Sequence, residues 1–455
     1  MTLAPQTAIA ASMTVMLLTS QLTAAAPSVY PTGVTRYDPS AAYNCDVLFS
    51  AADQKTYLID MDGHVLHRWD FGGFPSKMLD PGLTRGVKGE VGLQLSAIPA
   101  VRGNGGTGAV PGRTAEFRNE TFGLVDWSGN VVWKWGAQAP GGAAMQHHDW
   151  DRLPGGDTLI LSSRSGMLNG FGRRQMLDDV IYEVDARGRT IWTWTASAHL
   201  PELGLTESQL QLIERRAPAD YLHLNDMEPL GPNRWEKAGD DRFAADNIMI
   251  SSRNASVVAI ISRKTGHIDW RLGPDFPAAR DATLFALGEV AAPGRVGHLS
   301  GQHDAHLIPE GLPGAGNLLL FDNEGEAGFP PAELPLIAGS RALEIEPVKR
   351  TVVWQYSGTK ITFYSPYISS VQRLPNGNTL IDEGIDGRFF QVTPRGRIVW
   401  EYVAPMRGAA SGPAGANSVY RIQAVPYDWV PLPGPHSEAP VQAPALERFH
   451  VPAGQ

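Results

Sequence analysis

Residues 56–69 read TYLIDMDGHVLHRW: an alternating apolar run, a short polar turn containing Gly63, and a second alternating run that ends in an aromatic residue. Period-two alternation marks a strand with one buried face, and two such runs around a glycine turn make a β-hairpin. The pattern recurs in FGLVDWSGNVVWKW (122–135), VIYEVDARGRTIWTW (180–194) and VVAIISRKTGHIDWRL (257–272). RALEIEPVKRTVVWQY (341–356) and RFFQVTPRGRIVWEY (388–402) bring the copies to six. The turn position holds Gly63, Gly129, Gly188, Gly266 and Gly396, with Arg350 in the remaining copy. Glycine suits a turn that needs positive φ. Four residues past it stand His67, Trp133, Trp192, Trp270, Trp354 and Trp400. Two further on stand Trp69, Trp135, Trp194, Leu272, Tyr356 and Tyr402. Both positions share one strand face. Large aromatics at equivalent sites suit the seams between neighbouring sheets, and they account for eight of the 12 Trp.

A second hairpin precedes most copies: HHDWDRLPGGDTLILSSR (147–164), HLNDMEPLGPNRW…DNIMISSR (223–253), QHDAHLIPEGLPGAGNLLLFDNE (302–324) and ISSVQRLPNGNTLIDEG (368–384). Two hairpins make a four-stranded sheet, and six such sheets around an axis make an all-β, six-bladed β-propeller spanning residues 40–430. The first unit begins at NCDVLFS (44–50) with no strand before it. SVYRIQAVPYDW (418–429) resembles the missing strand, so a C-terminal strand is expected to pair with the N-terminal blade and close the ring. The weakest blade lies between 75 and 100, with strands expected around Pro75–Leu79 and Val91–Ala97. LTESQLQLIERRAPADY, within 195–221, has a helical pattern.

The chain of 455 residues carries 38 basic and 47 acidic side chains, a net charge of −9, and no Lys/Arg run. That argues against nucleic-acid partners, which require a cationic surface. Cys45 stands alone, which excludes an intrachain disulfide and a cysteine-based zinc site. Residues 1–26 hold a short apolar run and the small-residue stretch Ala24-Ala25-Ala26 before Pro27. This is the pattern of a signal peptide without a basic start, and implies a periplasmic or secreted protein. The run is too short and polar for a stable membrane span. Residues 431–455, rich in Pro and Ala, read as a strap or tail.

Inner strands of a propeller surround a channel whose mouth is the usual ligand site. Counting back from the residue before each inner turn (Leu153, Leu230, Ile308, Leu374) places His148, Asn225, His303 and Ser369 in one slot, with His223 two residues further back. Hairpin pairing returns Arg253 beside His223, and Arg164 beside His148. Neutral imidazoles with fixed cations suit a tetrahedral oxyanion such as sulfate or phosphate. Three histidines can also hold zinc, but a neighbouring guanidinium disfavours a dication, so no metal is expected there. Asp149, Asp226 and Asp304 either orient the imidazoles or cap turns. Trp150, Tyr221 and Tyr367 are candidates for stacking on an aromatic ligand, although for any one of them ordinary packing is the favoured reading.

The ordered set HHDWDRLPGGDTLI, HLNDME, SSR and QHDAHL, with the opening TYLIDMDGHVLHRWD, resembles the bacterial arylsulfotransferase family over roughly residues 40–430. The resemblance implies a six-bladed propeller that moves a sulfuryl group from a phenolic sulfate ester to a phenol, with no nucleotide donor and no cofactor. A histidine is the transient carrier. By motif, the nucleophile is His303, and His148, His223 and Arg253 complete the site; His306 has the opposite strand parity and is the weaker candidate. The enteric members also carry a separate β-rich domain and a disulfide that a lone Cys45 cannot supply, which leaves the oligomeric state open. Three other readings remain: a non-catalytic binding propeller, an aryl sulfate hydrolase, and a quinone-dependent dehydrogenase. The last is disfavoured by the absence of an eight-fold repeat and of vicinal cysteines.

Overall fold

The repeated hairpins become paired strands, and their pairing closes a ring of six antiparallel sheets. A computed structural model describes residues 32–97, 119–169, 171, 173–217, 219–276, 294–331, 338–408, 417–434 and 438–442. In chain order, β1 (Gly33–Tyr37) precedes β2 (Asp46–Ser50), β3 (Thr56–Ile59) and β4 (Val65–Trp69) of the first blade. The second blade is β5 (Lys77–Met78), β6 (Val91–Ala97), β7 (Asn119–Val125) and β8 (Val131–Trp135). The third is β9 (Gln146–Arg152), β10 (Thr158–Met167), β11 (Gln175–Val184) and β12 (Thr190–Thr195). The fourth is β13 (Leu224–Pro229), β14 (Ile248–Ser252), β15 (Val257–Ile261) and β16 (Ile268–Leu272).

The short β17 (Gly294–Arg295) lies on the outer edge of the fifth blade, which consists of β18 (His303–Leu307), β19 (Leu318–Asp322), β20 (Ala338–Glu346) and β21 (Thr351–Thr359). The sixth is β22 (Ser370–Arg373), β23 (Thr379–Glu383), β24 (Arg388–Val392) and β25 (Ile398–Val403). The last strand, β26 (Ile422–Val425), returns to the first blade. Between the third and fourth blades runs the helix α1 (Glu207–Arg216), started by a Thr206/Gln209 capping box. No helix among the described residues is long and apolar enough to cross a membrane.

The ring closes as the sequence predicts: β26 pairs with β2, from Asp46↔Val425 to Phe49↔Ile422, and becomes the innermost strand of the first blade. A second overlap was not legible. β1 adds a fifth strand to the sixth blade by pairing with β25, although the sequence suggested no strand before residue 44. Its GVTRY lies outside the repeat, so periodicity could not find it. Tyr37 and Val441 then exchange both backbone hydrogen bonds, at 2.7 and 2.9 Å. Residues 1–26 and most of 431–455 lie outside the described residues.

Apolar residues of the two sheet faces fill each of the six seams; Leu48, Trp69, Val91 and Val125, for example, pack between the first and second blades. The tryptophans add a directional bond there. Trp69, Trp194, Trp270, Trp354 and Trp400 each donate the indole N–H to a turn carbonyl of the following blade: Asp126, Gly266, Pro347, Pro394 and Met61. The +6 position supplies the staple early in the chain and the +4 position supplies it later. Trp133 and Trp192, at +4, are instead only half-buried. The turn position takes positive φ throughout, from 77° to 84° at its glycines and 56° at Arg350.

Candidate active site

The inner strands do not enter the channel straight. Register shifts interrupt β9–β10 between Ile160 and Ser162, β13–β14 between Leu224 and Asp226, and β18–β19 between His303 and His306. At these entrances Met145, His148, His223, Asp304, Ile368 and Ser369 all hold positive φ, between 48° and 90°. For residues with a Cβ this is costly, and it persists where surrounding structure enforces it. A bulge bends the strand and re-aims its side chains. Here it turns histidines of three consecutive blades inward.

His303 is 1% exposed. Its Nδ1 lies 2.7 Å from Asn323 Oδ1 and 3.0 Å from Gly301 O, both of which accept. Its Nε2 accepts from the Ile368 amide at 3.2 Å. These partners fix the tautomer with the proton on Nδ1 and the lone pair on Nε2. Burial, then the charge of Arg253, pushes its pKa well below the ordinary histidine value. The ring is therefore a neutral base at pH 7.

His148 lies edge-on to His223, with ring centroids 4.6 Å apart. Tyr420 packs against both His148 and His303, at 5.5 and 6.5 Å, and Phe74 packs on His148 at 4.6 Å. The Tyr420 hydroxyl bonds the carbonyls of His148 and Asn225, tying the floor to two blades. His148 Nδ1 is 2.8 Å from Nδ1 of His147, whose Nε2 is 3.4 Å from Asp179. His223 Nδ1 donates to Asp220 Oδ2 at 2.6 Å. Arg253 sits beside His223, its amide bonded to the His223 carbonyl at 3.1 Å. Burial lowers its pKa while Asp220 and Glu326 oppose the shift. His148, His223, His303 and Arg253 thus meet at one channel mouth.

Beneath them the channel is charged. Asp149, Asp226 and Asp304, expected to orient imidazoles or cap turns, converge instead on Arg421, at 2.9, 2.8 and 3.1 Å. Lys77 holds Asp149, Asp151 and Glu228 at 2.7, 3.1 and 2.9 Å. Burial works against Asp149, but Arg421 and Lys77 keep its pKa well below the carboxylate range.

Two expectations, for Arg164 and Asn225, need correction, and two stacking candidates, Trp150 and Tyr221, prove to be packing residues. Arg164 is exposed and its charge acts on Asp178 and Tyr182 of its own sheet, rather than beside His148. Trp150 is fully buried, donates to Pro75 O at 3.0 Å and packs on Phe122, so it belongs to the seam. Tyr221 is likewise core, against Phe171. Asn225, in the slot of His148, is spent on the Gln302 carbonyl. Tyr367 does lie near Arg253, and its buried hydroxyl has no hydrogen-bond partner among the described residues. His306 bonds the Asp304 carbonyl and plays no part in the cluster. Sequence reasoning missed Asn323, Asp220, His147, Tyr420 and Arg421. Only the HH dipeptide and the aspartate three before His223 were local signals.

Residues 38–402 match the arylsulfotransferase (ASST) family, and the chain belongs to it. No curated protein matches. Among solved structures, a protein of unknown function from Bacteroides caccae is 10% identical, with 84% of this chain and 98% of that chain covered and a TM-score of 0.41. A streptogramin B lyase is 11% identical, covering 86% of each chain at a TM-score of 0.38. Virginiamycin B lyase from Staphylococcus aureus is 10% identical, with 83% and 86% covered at 0.35.

Proposed function

We propose that the protein carries a sulfuryl group from an aryl sulfate to a phenol through a sulfo-His303 intermediate, without a nucleotide sulfate donor. The observation that supports this most is the neutral His303 imidazole, anchored at Nδ1 by Asn323 and sharing its surroundings with the Arg253 guanidinium. The Nε2 lone pair forms a bond to sulfur as the bond from sulfur to the aryl oxygen breaks, and the electron pair leaves on that oxygen. Arg253 and His148 hold the non-bridging oxygens, and the Ile368 amide turns from Nε2 to the same oxygens. His223, held at Nδ1 by Asp220, gives a proton to the departing phenolate. In the second half-reaction it takes the proton of the incoming phenol, whose pKa is about 10, as that oxygen attacks sulfur and releases His303. The amino-terminal pattern supports work outside the cytoplasm, where such esters arrive without a cytosolic donor.

Brief exposure of the intact protein to a chromogenic aryl sulfate, followed by mass spectrometry, tests the reading. One added sulfuryl group is expected, on the peptide that carries His303, and none on His303→Ala. Steady sulfate release without an acceptor would instead mark a hydrolase. Absence of both adduct and turnover would mark a binding propeller.

A further inference from the structure

Away from the channel, on the outer rim where the third and fourth blades meet, three side chains point at one spot. The 3₁₀ segment Ala196–Leu203 follows β12 and carries His199 and Glu202. In a 3₁₀ turn, residues i and i+3 eclipse, so both project from one face. His267 comes from the β15–β16 turn of the next blade. His199 Nδ1 is 2.9 Å and His267 Nδ1 is 3.0 Å from the same oxygen, Glu202 Oε1. The other oxygen accepts the Ile268 amide at 2.8 Å, which fixes the carboxylate plane.

We propose that His199, Glu202 and His267 form a binding site for a divalent transition-metal ion of the zinc type. Two imidazoles and one carboxylate, with a fourth position open, are a known donor set for Zn²⁺. Tetrahedral ligation at about 2.0 Å puts ligand atoms about 3.3 Å apart, so the Glu202 contacts need to widen by only a few tenths of an ångström. The three donor atoms already lie within 4.8 Å of one another. His267 is 66% exposed and can adjust to close the set. Each neutral imidazole needs only to shift its proton from Nδ1 to Nε2, so no net proton need be lost.

The outer shell is built. The His199 ring stacks on Trp194 at 5.0 Å and 12°. The Trp194 indole donates to the carbonyl of Gly266, the residue before His267. One side chain therefore positions both histidines, as partners behind metal ligands do. His199 also lines a neighbouring hollow of about 410 Å³, together with Trp192, Thr195, Arg263 and Lys264. Arg263 is committed to Glu183 and to the face of Trp192.

Two other clusters of potential ligands contrast with it. Asp149, Asp226 and Glu228 are neutralised by Arg421 and Lys77, and His298, Asp322 and Glu324 by Arg341. At Glu202 no such side-chain cation takes the place of the ion among the described contacts. Because the ligands come from two blades, the ion would clip the same seam that Trp194 staples.

Chelator-treated protein titrated with Zn²⁺ at pH 7.5, by calorimetry, tests this. One equivalent is expected to bind at about 10 μM or tighter, and to raise Tm by at least about 2 °C at saturation. His267→Ala and Glu202→Gln should each weaken binding tenfold or more and abolish the Tm shift, while sulfuryl transfer by His267→Ala stays at the wild-type rate. Binding weaker than this, or a loss below tenfold in both variants, overturns the site. The sulfo-enzyme measurement is independent of either result.

Discussion

At the scale of single residues, the proposed reaction requires His303 Nε2 to be unprotonated. Burial, and next the charge of Arg253, holds its pKa well below the ordinary value near 6.5. The rate of sulfo-enzyme formation should therefore stay level as pH falls through 6.5 and decline only further down. Arg253→Gln removes the donor that the proposal assigns to the sulfuryl oxygens and, with it, the charge that adds to burial in depressing His303. The rate at pH 7.5 should fall by about 10²–10³, as when one oxyanion donor is lost. The acid limb should move up toward 6.5. Single-turnover rates against pH separate these effects: a slower variant with an unmoved limb would mean that Arg253 binds substrate without tuning the base. The same shift bears on stability. Between the folded pKa and about 6.5 the unfolded chain binds the proton more readily, so this histidine's contribution falls as pH drops through that window.

The elements of the ring are held by the seams. Trp400 bonds the Met61 carbonyl across the closing seam, between the sixth and first blades. Trp135 fills the equivalent place between the second and third, yet its buried indole N–H has no partner among the described residues. Both are fully buried, so phenylalanine costs packing at either site. Only Trp400→Phe also strands a buried carbonyl, a penalty of about 1–3 kcal/mol. Denaturant unfolding should show Trp400→Phe less stable than Trp135→Phe by about that amount, and equal losses would deny the staples a role. Such elements were legible because alternation, turn and aromatic offset are local properties of the chain. The bulges were not. Whether one residue or two face a given partner depends on the neighbouring strand, so counting along the inner strands grouped histidines that the fold also groups but put Asn225 in a slot it does not use. Trp150 and Tyr221 show the same limit: an aromatic beside a motif histidine can face the seam as readily as the mouth. Asn323 orients His303 from just past the end of β19, and Tyr420 reaches the site from the far end of the chain. The first placement depends on the bulge between β18 and β19, and the second does not exist before the ring closes.

At the scale of the whole molecule, the inner strands of three blades, β9, β13 and β18, point carboxylates at one axis, and that repulsion has to be answered. Arg421 answers it from the residue just before β26, the strand that closes the propeller. It is 6% exposed in its side chain and meets aspartates of the third, fourth and fifth blades. Burial opposes its charge, but Asp149, Asp304 and Asp226 hold it firmly protonated. Asp382 of the sixth blade is pushed the other way: burial, then Asp304, raises its pKa well above the usual range. Ring closure and charge neutralisation are therefore one event, since the chain end that completes the first blade also delivers the cation. Arg421→Met keeps the stem but leaves the buried aspartates without their principal counter-charge. Breaking a buried ion pair in this way costs about 3–5 kcal/mol. The pH dependence gives the sharper signature. In the native protein Asp149 is held below its unfolded value, so its contribution is present at neutral pH and is lost as pH falls below about 4. Without Arg421, Asp149 keeps Lys77, but Asp226, which burial already pushes up, loses the charge that opposes that shift. The folded state then takes up protons more readily than the unfolded one, and stability relative to the native protein should rise as pH is lowered from 7 toward 5. Unfolding midpoints of the two proteins across that range should converge on acidification. Parallel curves would show that Arg421 fills space at the axis and does not balance its charge.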